Sequence, residues 1–597
     1  MDATSHIADL EKGSRTTTHS RDHDDHDSQS DSYSLSTSSS NSSQSQFQEI
    51  DFMSRTQTAQ TQPGTGLERH PTALSRIATQ RSQHSATVGA LKSRPSRRPL
   101  PEFGAGKPYP PPLPEKEEYV VEFAGPDDPL HPQNWPTKKK IAMSMLLAWT
   151  TFNSTFTSSI YSTANAAVST QYNVSTEVGT LGLSLYVLGF ACGPTLFSPL
   201  SELLGRRLPI LIGVFGFTVF QFAVATAENL QTIIICRFFG GFFGACPIAV
   251  VAAVFSDMYD NAHRGLAITI FTMTVFTGPL FAPFIGGFIV DSPALGWRWT
   301  AYLPGLTGAS AFVLDLLFVR ETYPPVILVE KAADLRRRTR NWGIHAKQEE
   351  IEVDFAELVR KNFGRPLRML VAEPILLLLS LYMAFLYGLL YLFMTAYPIV
   401  FHRIHRFSNG VAGLAYFGLI VGELLAGLFI LALHPAYNRK LAANHGVPVP
   451  EWRLPPAILG GVAFAAGLFW FGWSGYSSDI HWAVPAVSGL LTGFGLLCIF
   501  LQCLNYIVDA YLLFAASALA ANSILRSTAG AGFPLFATYM FDALGVNWTG
   551  TLLGCVAAVL APIPLLFYLY GAKIREKSKF ANEFVATAQA HDNEHME

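Results

Sequence analysis

The chain has 597 residues, of which half are hydrophobic and only 14% are charged, with a formal net charge of -2 and a mean hydropathy of +0.27. Such a composition excludes a soluble multidomain protein: from Ile141 to Gly571 apolar blocks follow one another, most near or above the ~20 residues needed to cross a ~30 Å hydrocarbon layer. The charged residues lie mainly in the first 140 positions, one central segment and the C-terminal end, and no long basic face among them suits nucleic acid.

Residues 1–118 run from polar sequence such as SYSLSTSSSNSSQSQ into the proline-rich PYPPPLP. A segment so poor in apolar residues cannot offset its ordering entropy and is expected to be a disordered tail. It lacks an apolar h-region and so is not a secretory signal peptide. The lead-in DDPLHPQNWPTKKK then sets Lys138, Lys139 and Lys140 at the start of the first span.

Six spans fit at 141–163, 178–200, 208–226, 232–256, 265–290 and 299–319, and six more at 374–400, 411–433, 455–474, 484–507, 513–541 and 549–570. Between the sets, Arg320 to Arg368 mixes RRRTR with EEIEVDFAEL and reads as a linker with short amphipathic helices. The expected organisation is a tail (1–118), a six-helix bundle (119–319), a linker (320–368), a second bundle (369–571) and a C-terminal tail (572–597). With the N-terminus inside, the inner loops carry Arg206, Arg207, Arg264, eleven Lys/Arg of the linker, Arg439, Lys440 and Arg453, against Arg298, Arg403 and Arg406 outside. The positive-inside rule therefore puts both termini in the cytosol.

The halves resemble each other. Ala294-Leu295-Gly296-Trp297-Arg298-Trp299-Thr300 returns as Ala543-Leu544-Gly545-Val546-Asn547-Trp548-Thr549, and Phe255-Ser256-Asp257-Met258-Tyr259 as Ile507-Val508-Asp509-Ala510-Tyr511, at offsets of 249 and 252 residues. The prediction is an all-α membrane protein of twelve transmembrane helices in two pseudo-symmetric six-helix bundles. Alternating-access transporters are built from such repeats around a central cavity.

Charge at membrane depth is costly and marks function by default. Arg237, about five residues into its span, either snorkels to the interface or fixes a positive charge beside a carboxylate or the substrate. Glu423, mid-span in GLIVGELLAGLF, is either a proton or cation carrier or a protonated hydrogen-bonding group. Arg526 is a second buried cation candidate, and Asp315 and Asp509 lie nearer span ends. Tyr382, Phe385, Tyr387 and Tyr391 crowd the seventh span, where one face can line an apolar pocket. The six cysteines, Cys192, Cys236, Cys246, Cys498, Cys503 and Cys555, have no C-x-x-C spacing and read as small buried apolar residues. No phosphate-binding glycine loop, metal-ligand spacing or nucleophile-and-base pair is visible, so neither ATP, a metal nor an enzymatic reaction is expected.

Three motifs carry a family resemblance. Ser198-Pro199-Leu200-Ser201-Glu202-Leu203-Leu204-Gly205-Arg206-Arg207 resembles the signature between the second and third spans of the major facilitator superfamily, in its fungal form. Arg237-x3-Gly241-x2-Gly244 is similar to the fourth-span arginine motif, and Gly278-Pro279-x3-Pro283-x2-Gly286-Gly287 to the fifth-span antiporter motif. Asn134-Trp135-Pro136, Asp509-Ala510-Tyr511 and the run Ala515 to Asn522 resemble the fungal twelve-span drug:proton antiporter branch. The resemblance covers about 130–571 and implies the following expectations. The chain is a monomeric plasma-membrane antiporter that exports small apolar or cationic organic compounds, drugs or secondary metabolites, driven by a proton gradient and no cofactor. Arg237 matches the family's proton-coupling arginine, and Glu423, from its mid-span position alone, is the candidate carboxylate for that coupling. Arg206, Arg207, Asp257 and Asp509 form a cytoplasmic latch, and Gly278, Pro279, Pro283, Gly286 and Gly287 pack a tight seal. A dedicated polyamine or single-metabolite exporter, or a receptor on the same scaffold, are the alternatives.

Overall fold

The computed structural model describes residues 116–350, 355–444, 449–511, 514–576 and 578. The expected disorder of the N-terminal tail concerns residues 1–115, outside the described residues, as is the C-terminal stretch 579–597. Lys116 to Tyr119, at the end of the expected tail, form a turn of 3-10 helix.

The described residues are almost wholly helical. The first bundle comprises α1 (Thr137–Ile160), α2 (Thr176–Leu203), α3 (Arg207–Thr226), α4 (Leu230–Met258), α5 (Asn261–Asp291) and α6 (Trp299–Phe318). The second begins with α7 (Pro374–Tyr397), prolonged by a π-helical turn to Ile404, then α8 (Phe417–Ala443), α9 (Pro455–Ser474) and α10 (Ala483–Ala510). A continuous run, Ala515–Leu560, breaks at Gly545, where φ is 74° and ψ 168°. The break separates α11 (515–544) from α12 (546–560, carried on by Pro562–Arg575).

Ten helical runs are long and apolar enough to cross a membrane, and the last of them holds both α11 and α12. The remaining span, α1, is too polar for that test, because Thr150, Thr151, Asn153, Ser154, Thr155, Thr157, Ser158 and Ser159 are all buried along it. Their hydroxyls mostly bond the helix's own carbonyls one turn back, as Thr151 does to Leu147 O at 2.9 Å and Thr157 to Asn153 O at 2.6 Å. An inward-facing polar helix of this kind is affordable because each hydroxyl is satisfied without water. The outer helices show the reverse pattern. On α3 the residues Leu208, Ile212, Phe215 and Val219 recur at helical spacing and are all exposed, an apolar stripe that belongs against lipid.

The repeat seen in the sequence has a backbone cause. Gly296 and Gly545, the third residues of the two Ala-Leu-Gly segments, are both left-handed, with φ of 69° and 74°. Each lets the chain reverse between a fifth and a sixth helix of its bundle, a conformation that costs any other residue about 1–2 kcal/mol. The bundles meet along two seams, α5 against α8 and α2 against α11.

The linker is built rather than extended. Helix Pro324–Thr339 and the turn Lys347–Glu350 close on the chain that precedes α1. His345 N donates to Tyr119 O at 2.9 Å and Val121 N to His345 O at 2.8 Å, while Val121, Ala332 and Ala346 form a small apolar core. Lys331 pairs with Asp128 at 3.6 Å, and Arg336 grips Glu349 with two bonds of 2.8 and 2.9 Å. A second linker helix, Phe355–Ala372, leads to α7. This cap marks the connector face of the molecule.

The cysteines correct one expectation. Cys246, Cys498 and Cys503 are buried, but Cys192 and Cys555 are exposed and Cys236 half-buried.

Candidate functional site

At the connector face α2 ends at Leu203, and Gly205, with φ of 86°, turns the chain into α3. Arg206 sits at that corner. Its Nε donates to Asp257 Oδ2 at 3.1 Å and its Nη1 to Ser201 at 2.8 Å, and its guanidinium lies 4.6 Å from the Tyr323 ring centroid. Glu321, at the start of the linker, accepts from the backbone amides of Arg206 at 2.8 Å and Arg207 at 3.1 Å. A carboxylate there satisfies amides that a helix start leaves unpaired and faces the positive end of the α3 dipole. Gln348 of the cap donates to the last carbonyls of α2, Glu202 O and Leu203 O. Around Arg206 burial opposes the charge, but Asp257 and Glu202 outweigh it and hold the guanidinium above its ordinary pKa.

Of the four residues expected to form a latch, Arg206 and Asp257 are paired, and the other two stand elsewhere. Arg207 is exposed and donates from Nη2 to Leu316 O at 3.1 Å. Asp509 accepts from Arg453 Nε at 2.9 Å in the second bundle. The cause is the repeat: Arg453 occupies the α8–α9 turn as Arg206 occupies the α2–α3 turn, and Asp509 ends α10 as Asp257 ends α4. Arg453 follows Arg206 by 247 residues, close to the offsets of 249 and 252 in the repeat, the one signal that could have found it. Next to Arg264, Gly265 of α5 lies against the His434 ring of α8, so the two bundles meet here.

Helix α5 is a wedge with two working faces. Toward α1, Pro279 O accepts from Ser159 Oγ at 2.7 Å, and Gly278 and Gly286 lie against Thr155 and Thr163. Toward the second bundle, a Cβ on Gly287 would stand 2.5 Å from Asn409 O, and Pro283 O and Phe284 lie against Gly413. The antiporter-motif residues are thus divided between holding α5 to its own bundle and letting the other bundle approach it. At the end of α5 remote from the connector face, Asp291 accepts from Asn409 Nδ2 at 2.7 Å and Gly410 N at 2.8 Å, clasping the bundles together.

Toward the end of α4 remote from the connector face, Arg237 is 2% exposed. Its Nε donates to Gly182 O at 2.9 Å, Nη1 to Thr157 O at 3.1 Å and Nη2 to Ser158 O at 3.3 Å, and the guanidinium lies between the rings of Tyr161 and Tyr186. Thr157 and Ser158 belong to the last turn of α1, where carbonyls have no helical partner and a cation meets the negative end of the dipole. Gly241 and Gly244 continue the same face of α4, Gly241 against the Tyr186 backbone and Gly244 O accepting from Ser154 Oγ. The side chain therefore does not snorkel, and its partners among the described residues are carbonyls and rings rather than a carboxylate.

Glu423 lies on the α5–α8 seam and is fully buried. Thr277 of α5 donates to its Oε2 at 3.2 Å, and Oε1 has no hydrogen-bond partner. The two residues expected to couple protons are thus in separate environments, Arg237 inside the first bundle and Glu423 between the bundles. The four aromatics of α7 also part company. Tyr382 turns into the second bundle toward Gly461, and Phe385 packs on Phe533 of α11. Tyr387 and Tyr391 pack on each other with centroids 5.1 Å apart, and Tyr391 OH donates to Ser158 Oγ of α1 at 2.8 Å. Only the latter pair stands at the meeting of the bundles.

Two six-helix bundles related by an internal repeat, meeting along polar and aromatic seams within the membrane, define a secondary membrane transporter. The sequence matches the family model of the Major Facilitator Superfamily over residues 147–534, and the chain belongs to that superfamily. It is 47% identical over 511 residues to the major facilitator multidrug transporter FLU1 of Candida albicans, covering 85% of this chain and 84% of that one. It is 49% identical over 528 residues to the multidrug transporter TPO1_2 of Candida glabrata, covering 88% and 89%. Among solved structures it superposes on the xylose transporter XylE from E. coli, in a partially occluded inward-open conformation. The TM-score there is 0.51 at 15% identity, over 72% of this chain and 99% of that one, a likeness of fold alone.

Proposed function

We propose that the protein is a proton-coupled antiporter of the plasma membrane that exports small organic compounds, drugs or secondary metabolites, with the connector face and both termini in the cytosol. The observation that carries this reading is Glu423: a carboxyl group buried on the seam between the bundles, with one threonine donor and, among the described residues, no cation and one unpartnered oxygen. A buried carboxylate without a countercharge costs several kcal/mol, whereas the protonated acid can remain there. Gaining a proton therefore favours the closed seam, and losing it favours a conformation that brings water to Glu423. Cargo leaves on one stroke and the proton enters on the other. The two multidrug-transporter relatives support the cargo class, and the Asp291 clasp supplies a far gate that each cycle must open.

The test is efflux from energised vesicles over a compound panel, with and without a collapsed pH gradient. The intact chain should lose export when the gradient is dissipated, and Glu423→Gln should export poorly whether or not the gradient is present. Gradient-driven export that survives Glu423→Gln unchanged would remove this residue from the coupling.

A further inference from the structure

Arg526 has no part in the exchange just described. It projects from α11, its guanidinium carbon 5.0 Å from the ring centroid of Tyr387 and 5.1 Å from that of Phe500, and its Nε is buried with no hydrogen-bond partner. Arg237 is the instructive contrast: it too lies between two rings, but each of its three nitrogens reaches a carbonyl. An arginine can never relieve such a deficit by losing its proton, so a buried N–H without an acceptor remains a standing demand for one. No carboxylate is within electrostatic reach of Arg526 among the described residues, and the ionisable neighbours are Tyr387 and Tyr391.

The position is as telling as the deficit. Tyr387 packs on Tyr391, which bonds Ser158 of the first bundle. Phe500 meets Phe276 of α5 edge-on, with centroids 4.5 Å apart. Arg526 therefore stands one side chain behind the line where the bundles touch, framed by buried rings that a parting of the seam would bare.

We propose that Arg526 is a cargo-recognition residue for organic acids: a carboxylate on an aromatic or extended apolar body docks at the seam and accepts from the guanidinium. The body lies against Tyr387, Phe500 and Phe276. A carboxylate suits the planar fork of a guanidinium and gives the strongest bond an uncharged or cationic analogue cannot match. The aromatic frame contributes area to all three kinds of cargo alike, so the arginine is what discriminates among them. The inference rests on the export reading for its biological meaning, and adds anionic cargo to the range of that site.

The full-length protein, purified in detergent, is tested by equilibrium dialysis with a naphthoate, its carboxamide and its trimethylammonium analogue. The intact chain should bind the naphthoate most tightly. Arg526→Gln should weaken naphthoate binding about tenfold, as expected for one lost charge-assisted hydrogen bond, while carboxamide binding changes less than about twofold. Arg526→Lys, which keeps the charge and loses the fork, should fall between. Equal affinity of the intact chain for naphthoate and carboxamide overturns the proposal, as does an Arg526→Gln variant that weakens all three probes alike. Flux in vesicles separates this from the export reading. Arg526-dependent naphthoate binding with no movement of any probe upholds the site and sinks export. Export of the amide and the cation with no preference for bound naphthoate does the opposite.

Discussion

Arg206 and Asp257 are paired at 3.1 Å within one bundle, not across the two. The pair is almost wholly buried, and its counterpart, Arg453 with Asp509 at 2.9 Å, ties the second bundle in the same way. Each bundle thus carries its own brace at the connector face and can move against the other as a unit. Removing one member of a buried pair strands the other, at a cost of about 3–5 kcal/mol. Asp257→Asn should accordingly lower the thermal midpoint of the purified protein sharply, and combination with Asp509→Asn should be close to additive because the pairs lie in different bundles. Strong coupling in the double variant would show that the braces act across the bundles.

Arg237 staples α4 to α1 and α2 through three carbonyls, so its loss is first a structural injury. Arg237→Ala should destabilise the first bundle by about 3 kcal/mol, the cost of leaving buried acceptors unmade. Arg237→Lys, with a point charge in place of a fork, should recover less than half of that. Thermal unfolding in detergent measures both. An Arg237→Ala protein that unfolds at the normal temperature yet has lost export would assign the arginine to coupling instead.

The two left-handed glycines offer a backbone test. Gly296→Ala and Gly545→Ala should each cost about 1–2 kcal/mol, since alanine is strained at positive φ. Gly532→Ala, in α11 with nothing within 4 Å of the added carbon, should be neutral or stabilising by up to about 1 kcal/mol. Midpoint shifts of these variants, read side by side, check the assignment, and equal shifts at all three positions would refute it.

The cap has a definite pH signature. The hydrogen bonds from Arg336 hold the Glu349 carboxyl below its ordinary value of 4.5. A carboxyl with a depressed folded pKa adds stability above its unfolded pKa and loses it as pH falls through the folded value. Glu349→Gln should therefore destabilise the cap by roughly 1 kcal/mol at pH 7, the pair being partly exposed, with little change down to about pH 5. The difference should vanish in more acid solution. Hydrogen exchange at the amides of Val121 and His345 reports it, and a difference that grows on acidification would reverse the assigned sign.

Much of this architecture could be read from residues alone, for identifiable reasons. Membrane-length apolar blocks betray helices whatever their tertiary partners, and the Ala-Leu-Gly repeat was visible because both copies need the same left-handed residue. Asp257 is expected to meet Arg206 or Arg207 because the family resemblance places such a relay there, while charge alone leaves either arginine as its partner. The partners of Arg237 were hidden, since a carbonyl acceptor is carried by every residue and leaves no mark on composition. Arg453 belonged to Asp509 by the symmetry of the repeat, yet its single arginine in a turn looked like any inner-loop charge. The aromatics of α7 could be counted but not oriented, because four rings within ten positions cover more than one helix face. The boundary between α11 and α12 shows in the structure only as one glycine inside an otherwise unbroken run.

The Asp291 clasp has a consequence for how such a machine fails. Two short amide donors on one carboxylate fasten the doorway opposite the connector, and behind it α5 offers Gly287 and the second bundle Gly410 and Gly413, surfaces too bare to resist sliding. Once the fastening slips, little friction remains along the upper seam. Leak and throughput are then set by the same small knot, and a looser knot should make a faster door that no longer shuts.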